Sequence, residues 1–299
     1  MHRLLALSFV ASILFASCQP SSPDGTATGA PDSVAVPMRM VTVGGTITEL
    51  VYALGLGDRI VATDRTSVYP AAMQGLPSVG HPGNIAAEGI LSENPDLIIV
   101  ANDAAPDDVL TQLESTQTPV WVVENENTVA STKAMICTLA ERLDRRAQGD
   151  SLLAQLDRDL AEAKARVAQA TTVPKVLFIY ARGRGTMQVG GRGTFAETLV
   201  QLAGGTLATP DLEQFKPLNT EALVAANPDY LLFFESGLES LGGVEGVQSL
   251  PGVAQTTAGQ QGQIIAMDGL LLSGFGPRLG QAVLQLSERI HPGSRTAQR

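Results

Sequence analysis

From Met38 onward the chain alternates short β-branched runs with longer segments of helical periodicity. MRMVTVGG reads as a strand ending in a glycine turn, and TITELVYALGLG as a helix stopped by glycine. RIVATD, LIIVAND (97–103) and PVWVVEN (119–125) are apolar runs of the kind that fill buried parallel sheets. Residues 126–170 change character: VASTKAMICTLAERLDRRAQ and SLLAQLDRDLAEAKARVAQA are rich in helix formers. Leu152, Leu153, Leu156, Leu160, Ala163 and Val167 trace one apolar stripe, and Pro174 closes the segment. A second series follows, with strands in KVLFIYA, YLLFFE (230–235) and QIIAMDG (263–269). Its helices are GTFAETLVQLAGG (193–205) and a closing PRLGQAVLQLSERI. The pattern predicts an α/β fold of two Rossmann-like lobes with central, parallel-rich sheets, joined by a single long backbone helix. The expected boundaries are 38–143 for the first lobe, 144–172 for the connecting helix and 173–299 for the second lobe.

The halves echo one another. EGILSENPDLII, from Glu88, lies in register with EALVAANPDYLL, from Glu221. In each, a glutamate opens a helical turn and Asn-Pro-Asp ends it before a buried strand. VGG recurs at 43–45 and 189–191, each time ahead of a helix. Such repetition predicts two related lobes rather than one extended sheet. The cleft between them, at the strand ends, is the expected ligand site.

The amino end reads differently. His2 and Arg3 precede an apolar run from Leu4 to Ala16, the length of a secretion signal and short for a membrane span. It ends in FASC, which resembles a bacterial lipobox and implies a signal peptide of residues 1–17 and a diacylated Cys18. Residues 18–37, rich in Pro, Ser, Gly and Thr, read as a flexible tether between a membrane surface and the folded body.

Composition narrows the function. With 20 basic and 30 acidic residues the formal charge is −10, which disfavours nucleic acid as a partner. Two cysteines, Cys18 and Cys137, build neither a disulfide framework nor a thiolate zinc site, and Cys137 is expected as a buried helix residue. Among three histidines only His81 stands near candidate chemistry; His291, in RIHPGSRT, is expected at the solvated surface. There is no HExxH, no GxSxG and no Walker loop.

Two segments remain. Arg182, Arg184 and Arg192 sit among glycines, where an arginine fork is able to meet a carboxylate or phosphate. The segment ATDRTSVYPAAMQGLPSVGHPGN (62–84) places Tyr69 directly before Pro70, which biases it to an extended backbone. An ordinary rim aromatic and solvated loop arginines are the plain alternatives.

The export signal, the paired Glu-x(6)-Pro-Asp blocks and the connecting helix together resemble the helical-backbone class of periplasmic substrate-binding proteins. That class serves ABC importers of haem, cobalamin and ferric siderophores. TSVYP, LPSVG and MQVGGRGTFAETLVQLAGG resemble its haem-binding branch. The resemblance implies a non-enzymatic protein that carries haem b as transported ligand, with Tyr69 as axial ligand to the iron. A phenolate is a hard anionic oxygen suited to ferric iron. Arg65 or a second-lobe arginine would favour that phenolate, and an arginine rim suits the propionates. Met187 and His81 are the candidates for a further iron ligand, with five-coordinate iron through Tyr69 alone the simpler arrangement. Glu88 and Glu221 match the two acidic knobs that meet arginines of the transporter. The implied partners are a permease dimer with its ATPase subunits and an outer-membrane haem receptor system. The expected protein is a periplasmic or cell-surface monomer, touching membrane only through its lipid. The same scaffold carrying a siderophore or corrinoid, and an exported haem-modifying enzyme, are the alternative readings.

Overall fold

The computed structural model describes residues 37–293. The expected signal segment, Cys18 and the tether up to residue 36 lie outside the described residues.

The first lobe is built from β1 (Met40–Val43), α1 (Gly45–Val51), β2 (Ile60–Thr63) and a short antiparallel hairpin, β3 (Gly80–His81) with β4 (Asn84–Ile85). It continues through α2 (Ala87–Leu91), β5 (Leu97–Ala101), α3 (Asp107–Glu114), β6 (Val120–Val123) and α4 (Val129–Arg142). The sheet runs β2-β1-β5-β6 with every pair parallel. Parallel neighbours require crossovers, so each strand is followed by helical or looped chain that covers the sheet. The central strands β1 and β5 are buried along their whole length. This explains why their sequences are continuous rather than alternating in hydrophobicity.

The helix α5 (Arg146–Val167) then carries the chain across. Leu156 and Ala163 of its predicted stripe are fully buried and Leu152, Leu153 and Leu160 pack partly covered against the core. Its other face is solvated.

The second lobe contains β7 (Lys175–Ala181), β8 (Met187–Gly190), α6 (Phe195–Leu202), β9 (Thr206–Leu207), β10 (Phe215–Pro217), α7 (Thr220–Ala226) and β11 (Tyr230–Phe234). After these come α8 (Glu235–Ser240), α9 (Gly243–Gln248), α10 (Thr257–Gln261), β12 (Ile264–Met267), α11 (Gly269–Ser273) and α12 (Leu279–Ile290). Its sheet runs β10-β8-β7-β11-β12, with β9 also paired to β7. Strands β7, β11, β12 and β9 are mutually parallel, whereas β8 and β10 are antiparallel additions.

The Asn-Pro-Asp echo has a structural meaning in both lobes. Asn94 and Asn227 adopt left-handed backbone, at φ 50° and 42°, which ends the preceding helical turn. The aspartate then ties the new strand to the first strand of its lobe. Asp96 Oδ2 accepts the amides of Met38 and Arg39 at 3.1 Å each, and Asp229 Oδ2 accepts that of Lys175 at 2.7 Å. The strands that follow, β5 and β11, pair with β1 and β7 in the same sense. The VGG echo is looser: the first copy follows the central parallel β1, the second follows the antiparallel β8.

One apolar core runs without a break from β1 and β5 of the first lobe, through α5, to Phe178, Leu232 and α12. A smaller cluster around Ile179, Phe233 and Val253 backs the second sheet. At the lobe boundary the chain from Gly274 to Arg278, between α11 and α12, lies against the first lobe. Thr46 Oγ1 and Asn125 Nδ2 both donate to the Gly274 carbonyl, at 2.8 and 3.0 Å, and Thr132 Oγ1 donates to that of Phe275 at 2.7 Å. Phe275 is buried with φ 48°.

The structure corrects two expectations about single residues. His291 is 5% exposed rather than solvated, because α12 ends by folding it against Gly204. Cys137 lies on α4 as predicted but is only partly buried.

Candidate functional site

The loop that carries Tyr69 is organised by a buried aspartate. Asp64, 2% exposed at the end of β2, accepts four hydrogen bonds. Its Oδ1 takes the Gly44 amide at 2.9 Å and the Ser67 hydroxyl at 2.8 Å. Its Oδ2 takes the Thr66 amide at 2.9 Å and the Thr66 hydroxyl at 2.5 Å. Thr66 Oγ1 in turn accepts the Gly45 amide, and Ser67 Oγ bonds Thr48 Oγ1 at 2.7 Å. The acceptor capacity of the carboxylate is thereby filled without a cation, and the loop is fixed to the first turn of α1. The closeness is steric as well: a Cβ on Gly45 would stand 2.4 Å from the Thr66 carbonyl oxygen.

Tyr69 emerges from this anchored loop 41% exposed. Arg278 lies over it, with Cζ 3.5 Å from the ring centroid, a close cation–π contact. Arg278 comes from the segment after the second sheet and Tyr69 from the first lobe, so the pair closes the lobe boundary. The same guanidinium makes a two-pronged ion pair to Glu49 of α1, Nε to Oε1 and Nη2 to Oε2, both at 2.8 Å. The Glu49 side chain is 5% exposed and that of Arg278 20%. Burial pushes the Glu49 carboxyl up from its ordinary value, against the opposing pull of Arg278. Burial also opposes the charge on Arg278, but hydrogen bonding and charge from Glu49 more than offset it, and Arg278 stays protonated.

The other predicted residues are placed as follows. Arg65, directly after Asp64, is exposed and its amide bonds the Gly80 carbonyl. His81 is exposed on the β3–β4 hairpin, with Nδ1 donating to the Pro82 carbonyl at 2.9 Å. Arg182 is exposed, its Cζ 5.7 Å from the centroid of the Tyr180 ring. Arg184 reaches within its own lobe to Ser249 Oγ at 2.6 Å. Arg192 pairs with Glu213 at 3.1 Å across an exposed surface. Met187 starts β8, half-buried against the smaller core cluster. Glu88 and Glu221 are both exposed in the first turns of α2 and α7. Asn219 caps α7 through the Glu221 and Ala222 amides, whereas α2 has no side-chain cap. No group of three His, Cys, Asp or Glu side chains able to hold a metal occurs among the described residues.

Sequence reasoning missed three residues and one cluster. Glu49 is the only acidic residue in a helix buried at every position, which by itself calls for a partner. Arg278 stands in a glycine-proline turn and gives no local signal. Asp64 sits within a segment singled out for Tyr69, and the Asp-x-Thr-Ser spacing was its clue. The cluster joins Phe178, Phe195 and Phe234, with centroids 4.9 to 5.8 Å apart, and extends to Tyr180 and Phe215. Phe178 is fully buried and the other four rings are partly exposed.

Comparison with known proteins agrees with this architecture. A structure described as the periplasmic heme-binding protein RhuT from Roseiflexus sp. RS-1, in apo form, is 38% identical, with a TM-score of 0.82. The match covers 86% of this chain and 99% of that one. The periplasmic heme-binding protein HutB of Vibrio cholerae is 32% identical with a TM-score of 0.75, over 85% and 98% of the two chains. The vitamin B12-binding protein of Photorhabdus laumondii is 29% identical over 150 residues, which is 48% of this chain and 52% of that protein. The periplasmic binding protein family profile matches residues 40–270, and with two lobes around one backbone helix the chain belongs to that family of non-catalytic transport components.

Proposed function

We propose that this protein captures ferric haem in the periplasm and delivers it to an ABC importer, with Tyr69 as the axial ligand to the iron. The observation that carries the reading is an exposed tyrosine, on a loop fixed by a buried aspartate, with a guanidinium held 3.5 Å from its ring centroid. An adjacent cation stabilises negative charge on the phenol oxygen, and ferric iron favours that hard anionic donor. Relatives at 38% and 32% identity are heme-binding proteins by name and align over nearly their whole length. The B12-binding relative covers about half of each chain, so a corrinoid cargo has the weaker support.

The ligand has a hydrophobic plate and two carboxylates, and the chain offers a counterpart to each. Partly exposed rings of Tyr180, Phe195, Phe215 and Phe234 supply apolar surface. Arg65 and Arg182 are exposed cations suited to propionates. Arg184 and Arg192 hold partners of their own, in exposed and exchangeable contacts. His81 and Met187 stand as candidates for a sixth ligand, and five-coordinate iron needs neither. Glu88 and Glu221 act as the docking carboxylates, one per lobe, for basic groups on a two-fold permease. Cys18 serves as the lipid anchor.

The test is the visible spectrum of the ferric haem complex. Wild type is expected to show a tyrosinate-to-iron charge-transfer band, and Tyr69→Phe to lose it together with at least ~100-fold of affinity, about 2.7 kcal/mol. A Tyr69→Phe spectrum identical to wild type would sink the assignment.

A further inference from the structure

We infer that Glu49 is a positioning residue for the ligand site, acting through Arg278 to fix the tyrosine across the lobe boundary. The inference rests on the reading of Tyr69 as iron ligand, and extends it to a residue that faces no solvent. Arg278 approaches from the segment 274–278, and that segment alone does not determine where a long side chain points. A guanidinium has several rotamers, and over an exposed ring a cation–π contact is too weak to select one of them. The buried carboxylate removes that freedom. Two parallel hydrogen bonds at 2.8 Å fix both the position and the plane of the fork, with its Cζ 3.5 Å from the centroid of the Tyr69 ring.

The pairing is also costly to maintain, which argues for a role beyond cohesion. A buried ion pair of this kind is often replaceable by apolar residues at no loss of stability. Every other side chain of α1 that is buried is uncharged. The bonds from Thr46, Asn125 and Thr132 to the carbonyls of Gly274 and Phe275 already fasten the segment to the first lobe. What the ion pair adds is a placed positive charge beside Tyr69. Because the carboxylate belongs to one lobe and the guanidinium to the other side of the boundary, separating the lobes withdraws that charge from the ring. Retention of ligand and apposition of the lobes are then one linked equilibrium.

The experiment compares Glu49→Gln, Arg278→Lys and Thr132→Val with wild type, all loaded with ferric haem. Glu49→Gln leaves a neutral amide beside the guanidinium; it is expected to shift the tyrosinate band and to raise the haem dissociation rate about 10- to 100-fold. Arg278→Lys, which keeps the charge but loses the fork, is expected to fall between the two. Thr132→Val removes a bond of the same segment without touching the pair. It is expected to lower the melting temperature while leaving band and dissociation rate unchanged. A Glu49→Gln protein with the wild-type band and rate overturns the inference, as does a Thr132→Val protein that moves both equally. Tyr69→Phe, run alongside, separates the two failures: if its band is unchanged, the tyrosine reading itself is lost.

Discussion

The two VGG tripeptides invite comparison, because the same three residues are held by different chemistry. In the first lobe the amides of Gly44 and Gly45 are taken by side chains, Asp64 and Thr66, of the loop that leads to Tyr69. In the second lobe the amide of Gly191, and that of Arg192 just after the tripeptide, are taken by main-chain carbonyls of Gln214 and Leu212. Gly193 follows with φ 76° and its amide bonds Glu197 Oε2 at 2.8 Å. A main-chain clasp survives most substitutions. A side-chain clasp ties the sheet, the helix start and the tyrosine loop to one carboxylate. The first lobe therefore offers a rigid, sequence-dependent mount, and the second a tolerant frame for exposed arginines.

The sharpest way to break this contrast is Asp64→Asn. It keeps the shape but puts an amide NH₂ where two donors now point, leaving buried donors unsatisfied. A loss of about 3 kcal/mol is expected in chemical unfolding, along with a displaced Tyr69. A matched pair comes next. A Cβ on Gly45 and one on Gly191 would each stand 2.4 Å from a backbone oxygen, of Thr66 and Leu212 respectively. Both alanine variants are expected to lose about 2 kcal/mol. Only Gly45→Ala is expected to change the haem spectrum; an equal change in Gly191→Ala would dissolve the distinction between the lobes.

The back of the second lobe provides a pH test. Burial lowers the pKa of His291, the nearby charge of Arg166 adds to this, and the main chain at Gly204 and Ala203 opposes it only in part. The folded state thus prefers neutral imidazole, and the unfolded chain binds more protons below about pH 6.5. Stability is expected to fall as pH drops below that value, and His291→Gln to flatten the slope. An unaltered slope in the variant would place the acid sensitivity elsewhere. The smallest effect belongs to Arg192→Ala. Its ion pair with Glu213 joins side chains 53% and 74% exposed, so less than ~0.5 kcal/mol is expected from thermal melts.

The sequence made the frame legible wherever a single element announced itself. Continuous β-branched runs gave the buried strands, and the Asn-Pro-Asp blocks gave the repeat, because a helix stop and a strand start are local events. Tyr69 was singled out for a related reason, being a tyrosine biased to an extended backbone by its proline, although the role proposed for it came from resemblance. What stayed hidden was pairwise and distant. Glu49 and Arg278 are separated by most of the chain, and the meeting of α1 with the turn before α12 follows only from how both lobes pack on α5. The antiparallel β8 and β10 were also unforeseen, since nothing in MQVG or FKP marks strand direction. His291 was misplaced because a histidine beside Pro292 and Gly293 reads as tail, while its burial depends on Gly204, far away in sequence.

The aspartates that follow Glu88 and Glu221 give the docking role proposed for those glutamates a mechanical footing. Each stands at the outer end of a short rigid bracket: glutamate, helical turn, left-handed asparagine, proline, and an aspartate bolted to the leading strand of its lobe. A pull applied to such a handle has little slack to take up before it reaches the sheet. A membrane partner gripping both handles would thus act on the lobes as levers, prising at the seam where Arg278 sits.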